Sequence, residues 1–213
     1  MLRWDWLSRN IDVVLSDLWQ HIEITVAALA LGAAIAFPVG LIAYRWRRSY
    51  PPILAVTQVL YTIPSLALFV LLINAVGLGA EPVIIGLAIY SLVILVRNLV
   101  EGLRGVPPEV TDAATAMGYK KTKRLFAVEL PLALPAIVAG LRVATVSTIS
   151  LVSVGALIGS GGLGQLFIHG FQIDNPIEIW TGITLTIVLA LVVDLLIVGG
   201  GRALTPWTRA GGR

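Results

Sequence analysis

Apolar residues along this chain gather into long runs rather than short alternations. Five runs can cross about 30 Å of hydrocarbon as helix, at roughly 1.5 Å per residue. They cover residues 24–44, 53–76, 82–100, 134–158 and 177–198. Pro38 and Pro64 fall inside the first two. An interior proline costs a water-exposed helix about 3 kcal/mol, whereas a membrane helix tolerates one when its neighbours satisfy the freed backbone. The pattern predicts an all-α polytopic membrane protein with five transmembrane helices in a single domain, residues 1–213.

The segments between the runs carry their own signals. Residues 1–23 mix acids with Trp4, Trp6 and Trp19 and lack the uninterrupted apolar core of a secretory signal. They read as an amphipathic segment at the membrane interface. Residues 101–130 are too long for a turn. Pro107 and Pro108 can open a helix there, and Gly118 can end it. Val110, Ala113, Ala114 and Met117 then make one apolar stripe at helical spacing. A second, basic helix over 120–128 should stop before Pro131. Residues 159–176 begin Gly-Ser-Gly-Gly-Leu-Gly. Their glycines suit a tight non-helical turn, and their apolar content suggests a loop that dips back into the protein.

Composition supports the membrane reading, because 57% of residues are hydrophobic and 13% charged, against about 25% charged in soluble domains. The absence of cysteine excludes disulfides, thiolate metal sites and thiol nucleophiles. Lysine and arginine set the orientation. With five spans, twelve of the fifteen fall on one side, leaving Arg3 and Arg9 on the other and Arg142 within a span. The basic side should be cytoplasmic, which puts the N-terminus outside and the C-terminus inside.

A loop helix with an apolar stripe must bury it somewhere, either on the inner face of its own protein or on a partner. Beyond that choice, Asp112-Ala113-Ala114, Gly118 four residues later and Val128-x-Leu130-Pro131 resemble the cytoplasmic signature of binding-protein-dependent ABC importer permeases. That family has Glu-Ala-Ala, the same glycine spacing and Ile-x-Leu-Pro. Asp112 and Val128 are the two departures. The resemblance implies that Asp112, Ala113, Ala114, Met117 and Gly118, with Leu130 and Pro131, form the coupling element that seats in an ATPase subunit. It also implies a methionine-permease-like fold in a prokaryotic inner membrane.

Further stretches look like the osmoprotectant permeases, which import glycine betaine, choline or carnitine. These are Tyr61-Thr-Ile-Pro-Ser-Leu-Ala-Leu68, Arg97-Asn98 with Gly102, Glu129-Leu-Pro-Leu-Ala-Leu-Pro135 and Ala156 to Gly164. Methionine-type permeases share the five-span plan, so another small solute remains the alternative. The implied partners are an ABC ATPase, a second permease subunit, identical or paralogous, an extracytoplasmic substrate-binding protein and membrane lipid. No phosphate-binding G-x-x-x-x-G-K-[ST] loop occurs in the sequence. The chain is therefore expected to be non-catalytic and to hold no cofactor, with ATP and Mg on the partner ATPase.

Other candidates follow from residue type and depth. Tyr61, Thr62, Ser65 and Asn74 on the second span, and Ser147, Thr148, Ser150 and Ser153 on the fourth, can line a weakly binding path. The same hydroxyls also pack helix interfaces or bond their own backbone. Gly161, Gly162 and Gly164 are candidate gate residues. Arg142 and Asp194 lie at matched depth, roughly 12 Å inside their helix ends at 1.5 Å per residue, and make a candidate intramembrane pair. His21 and His169 have no metal-ligand companions at helical spacing. They read as interfacial or loop residues, which speaks against a membrane enzyme. A passive channel or anchor would leave the cytoplasmic signature unexplained.

Overall fold

The structure is a computed structural model that describes residues 5–207. Trp4, Arg209 and Arg213 lie outside the described residues. Every regular element among those described is helical. In order they are α1 (Asp5–Arg9), α2 (Ile11–Arg45), α3 (Tyr50–Thr62), α4 (Ser65–Val76), α5 (Glu81–Arg104), α6 (Pro108–Ala116), α7 (Lys121–Arg124), α8 (Leu130–Val152), α9 (Gly164–Gln172) and α10 (Pro176–Leu204). Short 3₁₀ turns cover Arg47–Ser49 and Ser153–Ile158, and one wider, i→i+5 turn covers Leu125–Glu129. Four helical runs are long and apolar enough to cross a membrane: α2, α5, the continuous α7–α8 stretch and α10. The bent pair α3–α4 makes a fifth if it crosses as one span.

The first helix starts well before residue 24. Val14, His21, Thr25, Ala28, Gly32, Ala36, Gly40 and Ala43 are buried along one face of α2. Their spacing of three, four and seven residues runs unbroken from the polar N-terminal part into the apolar part. Asp12 and Glu23 lie off that stripe and Asp17 falls half-buried on its edge between Val14 and His21, so the acids colour the composition without stopping the helix. Residues 11–23 are therefore continuous with the first span. Trp19 is exposed, and His21 is not interfacial at all but fully buried. One ring nitrogen of His21, Nε2, lies 2.9 Å from the Ile149 carbonyl oxygen on α8.

The second span is not continuous. Ile63 is extended (ψ 129°) and Pro64 follows in the same region (ψ 133°), so α3 and α4 meet at 95°. Proline lacks the N–H that would continue the ladder and drives the preceding residue out of the helical region. The Tyr90 hydroxyl on α5 donates to the freed Ile63 carbonyl. The expected break before Pro131, in contrast, is absent. Pro131 takes the second position of α8, directly after the wider turn. The wider turn feeds the chain in, with the Leu130 N–H donating to the Leu125 carbonyl.

The central column is α5. α2 packs along it through the small-residue stripe, α3 and α4 cover its two halves, and α8 closes the remaining side. Ile24, Phe69, Leu87 and Val152 fill the core at one end, and Leu99, Leu103 and Ala133 fill it at the end that carries the basic residues. α10 lies outermost, against α8 and α9, with Leu191, Leu195 and Leu196 exposed as a lipid-facing helix would have them.

Two of the candidate features belong to this packing. Arg142 on α8 and Asp194 on α10 meet in a two-pronged ion pair, Nε to Oδ1 at 2.7 Å and Nη2 to Oδ2 at 2.8 Å. Paired planar groups of this kind give direction as well as attraction. The glycine-rich loop folds back as a turn at 159–163 and then forms α9, so half of the stretch is helical. Gly161, Gly162 and Gly164 are all buried. The Gly162 N–H donates to the Gln20 side-chain oxygen at 2.9 Å.

Gly162 has φ +50° and lies so close to α2 that an added Cβ would stand 2.6 Å from the His21 Cα. Gly162→Ala is expected to destabilise the subunit itself, by about 1–3 kcal/mol for an overpacked contact. Thermal unfolding in detergent measures this, and a wild-type midpoint would refute it. For the ion pair, Arg142→Gln and Asp194→Asn should each reduce folded yield more than the double variant does, because one removal strands a charge. Strictly additive losses would show that the pair contributes nothing.

Candidate functional site

The loop between α5 and α8 builds a short, sharply bounded helix. Pro107 is extended, Pro108 occupies the first helical position and α6 ends at Ala116. The end is closed by two reverse bonds, Gly118 N–H to the Thr115 carbonyl at 2.9 Å and Tyr119 N–H to the Ala114 carbonyl at 3.1 Å. This Schellman pattern requires a left-handed residue after the cap, and Gly118 supplies it with φ +82°. No atom would lie within 4 Å of a Cβ at Gly118, so the demand there is on the backbone alone.

The expected stripe divides between two faces. Ala114, 2% exposed, turns inward with the half-buried Val110 and Thr111. Glu109, Asp112, Ala113, Ala116 and Met117 are exposed on the other face, and Met117 is 70% exposed. Half of the helix thus packs on its own chain, and half presents two acids, two alanines and an adaptable thioether. Leu130 and Pro131 are not on that outer face. Both are half-buried at the root of α8, where Leu130 packs with Leu99 and Leu103.

A polar cluster that the sequence reading did not single out lies behind α6. Glu129 is 2% exposed. It accepts from Arg124 Nε at 2.6 Å and from the Tyr44 hydroxyl at 3.0 Å. Arg124 Nη1 also donates to the Thr115 hydroxyl at 2.8 Å. The one signal available in sequence was a single acid placed between a basic run and an apolar span.

The candidate path residues are scattered. Tyr61, Thr62 and Ser65 gather at the α3–α4 bend, where the Tyr61 ring meets Tyr90 edge-on at 5.4 Å. Asn74 lies far along α4 and is exposed. Thr62 and Ser150 bond back to the carbonyls of Val59 and Val146. Ser147 is half-buried one turn before Ser150, Thr148 is buried, and the Ser153 hydroxyl is buried without a hydrogen-bond partner. At the far end, His169 Nδ1 lies 2.7 Å from Glu178 Oε1.

Comparisons with known proteins fit this geometry. The family model described as "Binding-protein-dependent transport system inner membrane component" matches residues 14–210. The glycine betaine/carnitine/choline transport system permease protein OpuCD of Bacillus subtilis is 36% identical over 200 residues, 93% of this chain and 87% of that protein. The osmoprotectant import permease protein OsmW of Salmonella typhimurium is 34% identical over 202 residues, 92% and 94% of the two chains. Among solved structures, a chain of the MetNI methionine ABC transporter in an inward-facing conformation superposes with TM-score 0.84 at 22% identity, covering 92% of this chain and 98% of that one. A family match of this extent, with relatives aligned along nearly their whole length, shows that the chain belongs to the inner-membrane components of binding-protein-dependent transport systems, as a multi-pass permease subunit of an ABC importer.

Proposed function

We propose that this permease imports a small quaternary-ammonium osmoprotectant of the glycine betaine, choline or carnitine kind. The names and identity levels of OpuCD and OsmW support that substrate class. Cation–π recognition of such a cargo, at about 0.5–2 kcal/mol per aromatic face, would sit mainly in a separate receptor. The permease needs only a weak path, since tight binding would trap the cargo. Tyr61 and Thr62, exposed at the α3–α4 bend, are the first residues to place on that path.

The outward face of α6 is the observation that carries the coupling role. A methionine 70% exposed beside two alanines is poorly placed for water and well placed for a groove on another protein. The excess of lysine and arginine at this end supports a cytoplasmic position for α6. An ATPase subunit, holding ATP and Mg, would receive it there. Two permease subunits, identical or paralogous, would then swing between inward and outward opening as the two ATPases close and part, while a receptor delivers solute on the opposite side. The likeness to the methionine transporter extends to fold, so methionine is the solute to test against the osmoprotectants.

Competition decides the substrate. Uptake of labelled glycine betaine by cells carrying the complete importer should be reduced by excess choline or carnitine and left unchanged by methionine. Inhibition by methionine alone would overturn the assignment. For coupling, Gly118→Val forces a β-branched residue to positive φ, at a cost of about 1–3 kcal/mol to the helix end. The variant should insert normally, co-purify with less ATPase and lose uptake. Wild-type uptake in that variant would remove α6 from the coupling role.

A further inference from the structure

α6 is tied to the helix bundle on both of its sides, and both ties end on the last turns of α2. Before α6, Arg104 Nη2 donates to the Ala43 carbonyl at 3.5 Å, and its guanidinium stands 4.4 Å from the centre of the Tyr50 ring. After α6, Arg124 holds Thr115 with one nitrogen and Glu129 with another. The second oxygen of Glu129 accepts from Tyr44. Thr115, Arg124, Glu129 and Tyr44 therefore form an unbroken chain of hydrogen bonds from α6, through the root of α8, to α2.

The chemistry of this chain differs from that of the contacts around it. Apolar side chains such as Leu99, Leu103 and Leu130 can slide past one another at small cost, because their attraction has no direction. Charge-assisted hydrogen bonds are short, directional and stronger than neutral ones. A carboxylate removed from water also cannot release its partners without a large desolvation penalty. Glu129 sits where the wider turn passes into α8, so a displacement of its carboxylate is also a displacement of the base of that helix.

We propose that Glu129 is a positioning residue that passes movement of α6 to α2 and α8 together, through the relay Thr115–Arg124–Glu129–Tyr44. This rests on the reading that α6 seats in an ATPase. A merely structural ion pair would neutralise Arg124 and Glu129 and need nothing from Tyr44. Tyr44→Phe therefore separates the two roles, because it keeps the ion pair and the Thr115 contact while cutting the hydrogen bond by which this relay reaches α2.

The test uses the complete transporter in liposomes, with ATPase and receptor, and glycine betaine, choline and carnitine each supplied as solute. Folded yield, bound ATPase, ATP hydrolysis and uptake are measured for wild type, Tyr44→Phe, Glu129→Gln and the double variant. Both single variants should bind ATPase and hydrolyse ATP, yet import about fivefold less solute per ATP, or lower still, as expected for loss of a typical coupling between sites. The double variant should be no worse than Glu129→Gln, because both changes interrupt one route. An unchanged uptake-to-hydrolysis ratio in Tyr44→Phe overturns the relay, and so does a loss fully matched by lost ATPase. If Glu129→Gln fails to fold, Tyr44→Phe decides alone. A wild-type assembly that hydrolyses ATP and imports none of the three solutes overturns the proposed substrate class, and the relay is then judged on methionine uptake by the same ratio.

Discussion

The close approach of α2 to α5 is the contact on which the other helices depend. Lipid tails are as apolar as leucine, so helices in a bilayer gain little from hiding apolar surface against each other and associate by intimate packing instead. The alanines and glycines at 28, 32, 36, 40 and 43 remove side-chain bulk from one face of α2 over some four turns. α5 can lie in that trough, and α3, α4 and α8 then find a fixed column to pack on. At Gly32 an added Cβ would fall 2.0 Å from the Ser91 hydroxyl oxygen and 3.2 Å from the Ala88 carbonyl oxygen, so even a methyl group there would force Ser91 to turn and crowd the column.

Proline serves three purposes in this chain, according to what surrounds it. Pro38 and Pro135 lie inside helices that continue past them. Pro108 lies in a first turn, where its missing N–H costs nothing, and Pro131 directly follows the wider turn that carries the helix into α8. Pro64 breaks its helix, because the extended Ile63 before it has a partner waiting in the Tyr90 hydroxyl. Whether a proline kinks, starts or breaks a helix is thus decided by which neighbour can satisfy the freed carbonyl. That neighbour lies twenty-six residues away in sequence in the case of Pro64.

This explains what could be read from the sequence. The all-helical membrane class, α5, α10 and the bounds of α6 follow from run length and from end signals within a few residues. The bend at Ile63 and the uninterrupted passage through Pro131 do not, since each depends on partners elsewhere. Polarity hid the helical continuity of residues 11–23 with the first span, which the burial stripe at helical spacing displays. At the site, the cap glycine and the small residues of α6 were legible, because local geometry demands them. Which alanine turned inward was not, because that needs the position of the bundle. Glu129 stood at the head of a family-like stretch, but its buried bonding role was hidden for a similar reason. A lone acid beside four basic residues reads as a solvated charge until Tyr44, eighty-five residues earlier, is seen to stand over it.

The length of α2 has one more consequence. Its 35 residues extend about 52 Å at 1.5 Å per residue, against about 30 Å of hydrocarbon. The excess at the Ile11 end is stiffened by Val14 packing with Leu163 and Leu166. A protein landing on that side meets a rigid ledge rather than loose strands. It need not freeze a mobile loop in order to bind, and the entropy that such ordering consumes stays available for affinity.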